Sequence, residues 1–191
     1  MIILKLTKER FIMSIQKQFI WINIIGGLSV LGGYVYALLE HPVLRGQIWG
    51  GVPETWQPWI TMFMFFSGFG YCYGMYYLIF NEGLNLKFFG GRYDSSIMRT
   101  LVILFLLSAS MWIHSTFSYL ELPTAKKMGM IQIELWCTAL SLLFMTFGLA
   151  TAKGIKNIKV HKLSVIGLGV ISFHCFFLDA ILWTSYLPRN Y

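Results

Sequence analysis

Five stretches of this chain run almost without charge for about 20 residues each, the length needed to cross the ~30 Å hydrocarbon core of a bilayer. They lie near Phe19–Leu39, Trp59–Phe80, Leu101–Leu120, Ile131–Ala150 and Leu163–Trp183. Hydrocarbon holds no water to satisfy backbone N–H and C=O groups, so such stretches fold as helices, whose hydrogen bonds close within the segment. A membrane barrel would need alternating apolar and polar residues, and no such run is present. The expected fold is therefore all-α: a polytopic integral membrane helix bundle of about five transmembrane helices, forming a single membrane domain over 1–191. Composition agrees. Of 191 residues 57% are hydrophobic and only 12% charged, against roughly 25% charged in soluble domains. That deficit excludes a disordered chain, a soluble nucleic-acid-binding domain and an ordinary cytosolic enzyme.

Lys and Arg residues set the expected orientation. The N-terminal arm and the loops after the second and fourth spans carry Lys5, Lys8, Arg10, Lys17, Lys87, Arg92, Arg99, Lys153, Lys156, Lys159 and Lys162. The opposite side carries Arg45, Lys126, Lys127 and Arg189. This asymmetry places the N-terminus on the cytoplasmic side and the C-terminus across the membrane. Trp49, Trp56, Trp59, Tyr119, Trp136, Trp183 and Tyr186 fall near the outer interface, where amphipathic rings settle. The net charge of +7 thus suits an anionic inner leaflet and needs no nucleic acid. Residues 1–18 alternate apolar and basic residues and read as an interfacial amphipathic arm rather than a cleavable signal. The connection His41–Pro58, rich in Gly, Trp and Pro, is expected to fold over the outer mouth of the bundle.

Common catalytic signatures (HExxH, CxxC, the Walker A sequence, GxSxG) are absent. Cys72, Cys137 and Cys175 lie in three different spans and form no disulfide framework. The glycines of Gly68–Gly74 sit inside a span, so they read as packing: Gly70 and Gly74 form a small-xxx-small pair. Gly26 and Gly33 on the first span have the same reading.

The ionisable residues within the spans carry the functional expectation, because charge in hydrocarbon costs at least ~2.5–3.5 kcal/mol and turns toward an interior or water. Helical spacing sorts them into stripes. Ser110, His114, Ser118 and Glu121 share one face of the third span. Glu134, Cys137, Thr138, Ser141, Met145 and Gly148 share one face of the fourth, and Ser172, Cys175, Asp179, Trp183 and Tyr186 one face of the fifth. At 1.5 Å per residue, His114, Glu134 and Asp179 reach a common level roughly 20–25 Å from the inner face. The expected site is a ligand or proton pocket of His114, Glu134, Asp179, Ser110, Cys175 and Trp183 between the third, fourth and fifth spans. His114, Glu134 and Asp179 have suitable chemistry for a metal ion, although their spacing does not demand one. His174 lies on the other, apolar face of the fifth span, about 140° from Asp179 on a straight helix. Its depth matches His114, as a bis-imidazole haem site would require, but the helix would have to rotate. Neither metal nor haem is the leading expectation.

Three functions follow, in order. The first is binding or transport of a small ligand, proton or cation in the pocket, with the carboxylates and the imidazole changing charge as it binds. Five spans without an internal repeat argue against a complete inverted-repeat transporter in one chain, and a homo-oligomer would supply the remainder. The second is a non-catalytic subunit or assembly helper of a larger membrane complex. The third is an intramembrane enzyme acting on a lipid-like substrate through Asp179 or Glu134 with His114. The partners expected are the lipid bilayer and other copies or subunits. The sequence names no ligand, no reaction and no particular membrane.

Overall fold

A computed structural model describes residues 13–81 and 83–189. The first two-thirds of the basic N-terminal arm, residues 1–12, lie outside the described residues. Five long helices dominate: α1 Ile15–Glu40, α2 Gln57–Phe80, α3 Ser95–Glu121, α4 Ala125–Ala150 and α5 Ile158–Tyr186. No strand occurs among the described residues; two isolated bridges, Lys87 with Lys153 and Phe88 with Tyr93, are the only β-type pairing there. The chain is a helical membrane bundle. By length and composition α1, α3, α4 and α5 are able to span a membrane. The second helix is diluted by glycine, tyrosine and tryptophan and does not meet the same apolar measure.

Each helix starts where its sequence supplies a cap for otherwise unpaired N–H groups. Ser14, Asp94, Thr124 and Asn157 accept from the first turns of α1, α3, α4 and α5, and Pro58 occupies the first turn of α2. These caps carry the helices past the apolar stretches, so that α3 begins at Ser95 rather than Leu101 and α5 at Ile158 rather than Leu163.

The packing order differs from the chain order: α1 lies on α3, α3 on α4, α4 on α5, and α5 on α2. Polar contacts close the ring between α2 and α1, where the Tyr71 hydroxyl donates to Asn23 Oδ1 at 2.6 Å and Gln16 Nε2 donates to the Ile79 carbonyl at 2.9 Å. Glycine sets two of the approaches. A Cβ on Gly167 of α5 would lie 2.7 Å from the Gly70 carbonyl oxygen of α2, and one on Gly26 of α1 would strike Leu106 of α3 at 2.6 Å. Both glycine pairs expected to serve packing sit at helix contacts: Gly70 and Gly74 meet Gly167 and Leu168, while Gly26 and Gly33 meet Leu106 and His114.

The two ends of the bundle are distinct. At one end the connections 81–94 and 151–157 interlock, with Lys87 and Lys153 exchanging backbone hydrogen bonds and Gly90 N–H donating to the Thr151 carbonyl. At the other, the connection after α1 covers the bundle as expected. Gly51 N–H donates to the Tyr186 carbonyl at 2.9 Å, Trp183 Nε1 donates to the Ile48 carbonyl at 2.8 Å, and His41 pairs with Glu121 at 3.2 Å. Lys17, Lys87, Arg92, Arg99, Lys153, Lys156, Lys159 and Lys162 belong to the first end, and Arg45, Lys126, Lys127 and Arg189 to the second.

The glycine contact yields a prediction. Gly70→Ala places a methyl group on the Gly167 backbone, which cannot step aside, and should destabilise the protein by about 1–3 kcal/mol, as overpacking does. Gly68→Ala, whose new Cβ meets nothing within 4 Å, should be neutral or slightly stabilising. Melting of both variants in detergent checks this; equal effects would contradict close packing of α2 on α5.

Candidate functional site

Serine and threonine hydroxyls inside a helix generally bond the carbonyl four residues earlier, and such a hydroxyl can still accept from a neighbour that turns its own single hydrogen toward it. Here that neighbour is another helix. Ser108 Oγ and Thr138 Oγ1 meet at 2.8 Å between α3 and α4, and Thr146 Oγ1 and Ser172 Oγ meet at 2.8 Å between α4 and α5. Two turns beyond Ser108 on α3, and one turn before Thr138 on α4, Ser115 Oγ donates to Glu134 Oε1 at 2.9 Å. Glu134 is only 8% exposed, and its second oxygen, Oε2, has no partner among the described residues.

A groove of about 470 Å³ opens beside this pair, between the C-terminal half of α3 and the start of α4. His114, Ser115 and Ser118 line it from α3, Lys126, Lys127 and Met130 from α4, and Thr124 from the connection. Lys127 Nζ is held at the rim by the Ser118 carbonyl at 2.7 Å. His114 is exposed, lies against Gly33 of α1 and tilts toward the Tyr36 ring, and it is within electrostatic range of Glu134. The groove therefore sets two ammonium groups and an imidazole around the mouth and a buried carboxyl group behind one serine.

Asp179 has different company. Residues 174–183 of α5 form a π-helix, in which hydrogen bonds run to the fifth residue, and the Thr184 N–H still bonds the Asp179 carbonyl. This winding overturns the expectation that His174 and Asp179 point about 140° apart. In a π-helix residues five apart lie nearly over one another, and His174 Nε2 stands 3.5 Å from Asp179 Oδ1. The Cys175 side chain lies near the same carboxylate. Tyr34 of α1 is within electrostatic range of Asp179 and packs edge-on against Trp112 of α3, 5.5 Å between centroids. The edge of Trp112 packs against Trp183 at 5.4 Å. The His174 side chain is 7% exposed, and its Nδ1 has no partner among the described residues.

The expected pocket residues are thus divided. His114 lines the α3–α4 groove and Glu134 lies behind its Ser115; Asp179 and Cys175 belong to the His174 cluster; Trp183 fastens the covering loop. The Ser110 hydroxyl bonds the Leu107 carbonyl at 2.8 Å within its own helix. Among the described residues no three His, Cys, Asp or Glu side chains gather as a metal site, so His114, Glu134 and Asp179 do not form one. His114 and His174 face different neighbours, α1 and Phe63 of α2 respectively, which separates the pair that a bis-imidazole haem would need. Ser115 is the contact that the stripe analysis missed. It lies seven residues from Ser108, one face repeat of α3, and that face meets Thr138 and Glu134 across an antiparallel contact. A second groove, apolar and about 370 Å³, runs between α2 and α5 over the Gly70–Gly167 contact.

Comparisons of the chain with protein-family models, with curated proteins and with solved structures give no match.

Asp179 carries a prediction about the fold of α5. Asp179→Ala leaves His174 Nε2 without its acceptor and should cost about 1–3 kcal/mol, with Asp179→Asn, which keeps an acceptor oxygen, costing less. Unfolding in detergent reads both; an alanine variant as stable as the parent would contradict the pairing.

Proposed function

We propose that this membrane protein binds a small polar ligand, proton or cation in the groove between α3 and α4, with Glu134, Ser115 and His114 as its contact groups. The observation that carries the proposal is Glu134 Oε2, a buried carboxyl oxygen left without a partner beside a groove large enough for a small molecule. A buried polar group without a hydrogen bond costs ~1–3 kcal/mol, and a proton, an ammonium group or a cation recovers that cost. Pockets of ~300–1,000 Å³ with a few converging polar groups are the usual form of a ligand site. The lysines at the rim favour a ligand that also carries an acceptor or negative charge. All of these groups come from α3, α4 and their connection, so the site is drawn more narrowly than a pocket shared with α5.

In the same reading α2 crosses the membrane with the other four helices, the end bearing Lys87 and Lys153 faces the cytoplasm, and the groove opens on the opposite side. A bundle this short in connections also suits a subunit of a larger membrane complex. That second reading draws on α1, which buries only Phe19 and Ala37 and leaves Ile25, Leu28, Leu31 and Leu39 uncovered.

Native mass spectrometry of the detergent-purified protein, beside Glu134→Gln and Ser115→Ala variants of equal melting temperature, tests the site. The expected result is a small molecule, or a saturable cation-induced rise in melting temperature, that is reduced at least about tenfold in both variants, as loss of a charged hydrogen bond implies. Retention that is identical in all three proteins would contradict the proposal, and a co-purifying protein in its place would favour the subunit reading.

A further inference from the structure

The groove between α2 and α5 has a polar end that its apolar lining conceals. On α5, Leu163, Gly167 and Val170 line it, at intervals that keep to one face of the helix. His174 follows four residues after Val170 and continues that face. On α2, Phe63 and Phe66 line the same groove. The Phe63 ring lies nearly parallel to the His174 imidazole, 9° between planes and 6.0 Å between centroids. The imidazole therefore lies just beyond the lining, behind Phe63 and Val170, at the end nearer the covering loop. The groove's floor is the Gly70–Gly167 contact, where the absence of two side chains leaves the space. Its flank is open, with Phe66 57% and Leu163 53% exposed where lipid would lie.

The orientation of His174 decides what that end recognises. Asp179 is an acceptor and faces Nε2 at 3.5 Å, so an N–H at Nε2 is the tautomer that suits it and that leaves a lone pair at Nδ1. Nδ1 is buried and has no donor among the described residues. A ligand that satisfies it needs one uncharged hydrogen-bond donor on an apolar body. An ammonium donor would pay desolvation in an aromatic and aliphatic groove, and an ether or ester has no donor to give.

We propose that the α2–α5 groove is a second binding site, open to the bilayer, for a membrane-soluble alcohol or phenol whose hydroxyl donates to His174 Nδ1 while Asp179 holds the imidazole from its other nitrogen. The π-helix is the device that makes this possible: an α-helical turn would carry Asp179 away from His174 and leave the ring free to rotate. This site shares no residue with the α3–α4 groove, and it stands or falls independently of that one.

The test uses the full chain in detergent micelles with ¹⁵N-labelled histidine, and farnesol and farnesyl methyl ether as probes. The His174 signals are identified by their loss in His174→Gln. Farnesol should shift the His174 Nδ1 resonance and raise the melting temperature saturably. The ether, equal in apolar body but without a donor, should bind about tenfold more weakly. Leu163→Trp, a change at an exposed position that fills the groove, should abolish the farnesol response while the protein stays folded. Equal responses to the two probes, a farnesol response unchanged in both His174→Gln and Leu163→Trp, or no saturable farnesol response would each overturn the proposal.

Discussion

In hydrocarbon a hydrogen-bonding group that finds no partner inside the protein finds none at all, and the arrangement of this bundle follows from that constraint. It fixes the backbone as helices. It then acts on the side chains: the hydroxyls of Ser67, Ser108, Thr116, Thr138, Thr146, Ser164, Ser172 and Thr184 each lie within hydrogen-bonding distance of the carbonyl four residues earlier. In the two hydroxyl pairs that join α3 to α4 and α4 to α5, one hydroxyl donates to the other, which keeps its own helix carbonyl as acceptor. The helices associate through these pairs and through glycine faces rather than through a hydrophobic drive, which lipid tails remove.

Against that background two unpartnered atoms stand out, Glu134 Oε2 and His174 Nδ1. One lies beside the groove between α3 and α4, the other at the end of the groove between α2 and α5. A buried polar atom without a partner, next to open volume, is where a ligand contributes most. The two sites differ in chemistry. The first is ringed by lysines, hydroxyls and an exposed histidine; the second is lined by apolar and aromatic side chains, Tyr73 among them, with the His174 imidazole beyond one end.

Much of this was legible in the sequence. The apolar stretches all fall inside the observed helices, the Trp- and Pro-rich connection covers the end of the bundle, and the glycine pairs mark close helix contacts. What was not legible has identifiable causes. Stripes assigned on a uniform 3.6-residue helix cannot anticipate a π-helix, and a register change over residues 174–183 moved His174 from an apolar face to the side of Asp179. Equal depth does not imply a shared interior either. His114 and Asp179 both approach α1, at Gly33 and at Tyr34, yet Asp179 pairs with His174 of its own helix while His114 turns to the α3–α4 groove. Ser115 was passed over because it is off the stripe of His114, although its spacing from Ser108 matches the α4 contact.

The second helix is the weakest in apolar character and the one on which the up-and-down topology depends, since α2 links the covering loop to the basic end. Sided labelling tests it most directly: single cysteines at Gln47, Asn85, Lys126 and Lys156, in a background lacking Cys72, Cys137 and Cys175, are treated in sealed vesicles with an impermeant maleimide. A bundle with five crossings predicts that positions 47 and 126 react from one side only and positions 85 and 156 from the other only. Labelling of 47 and 85 from the same side would contradict it.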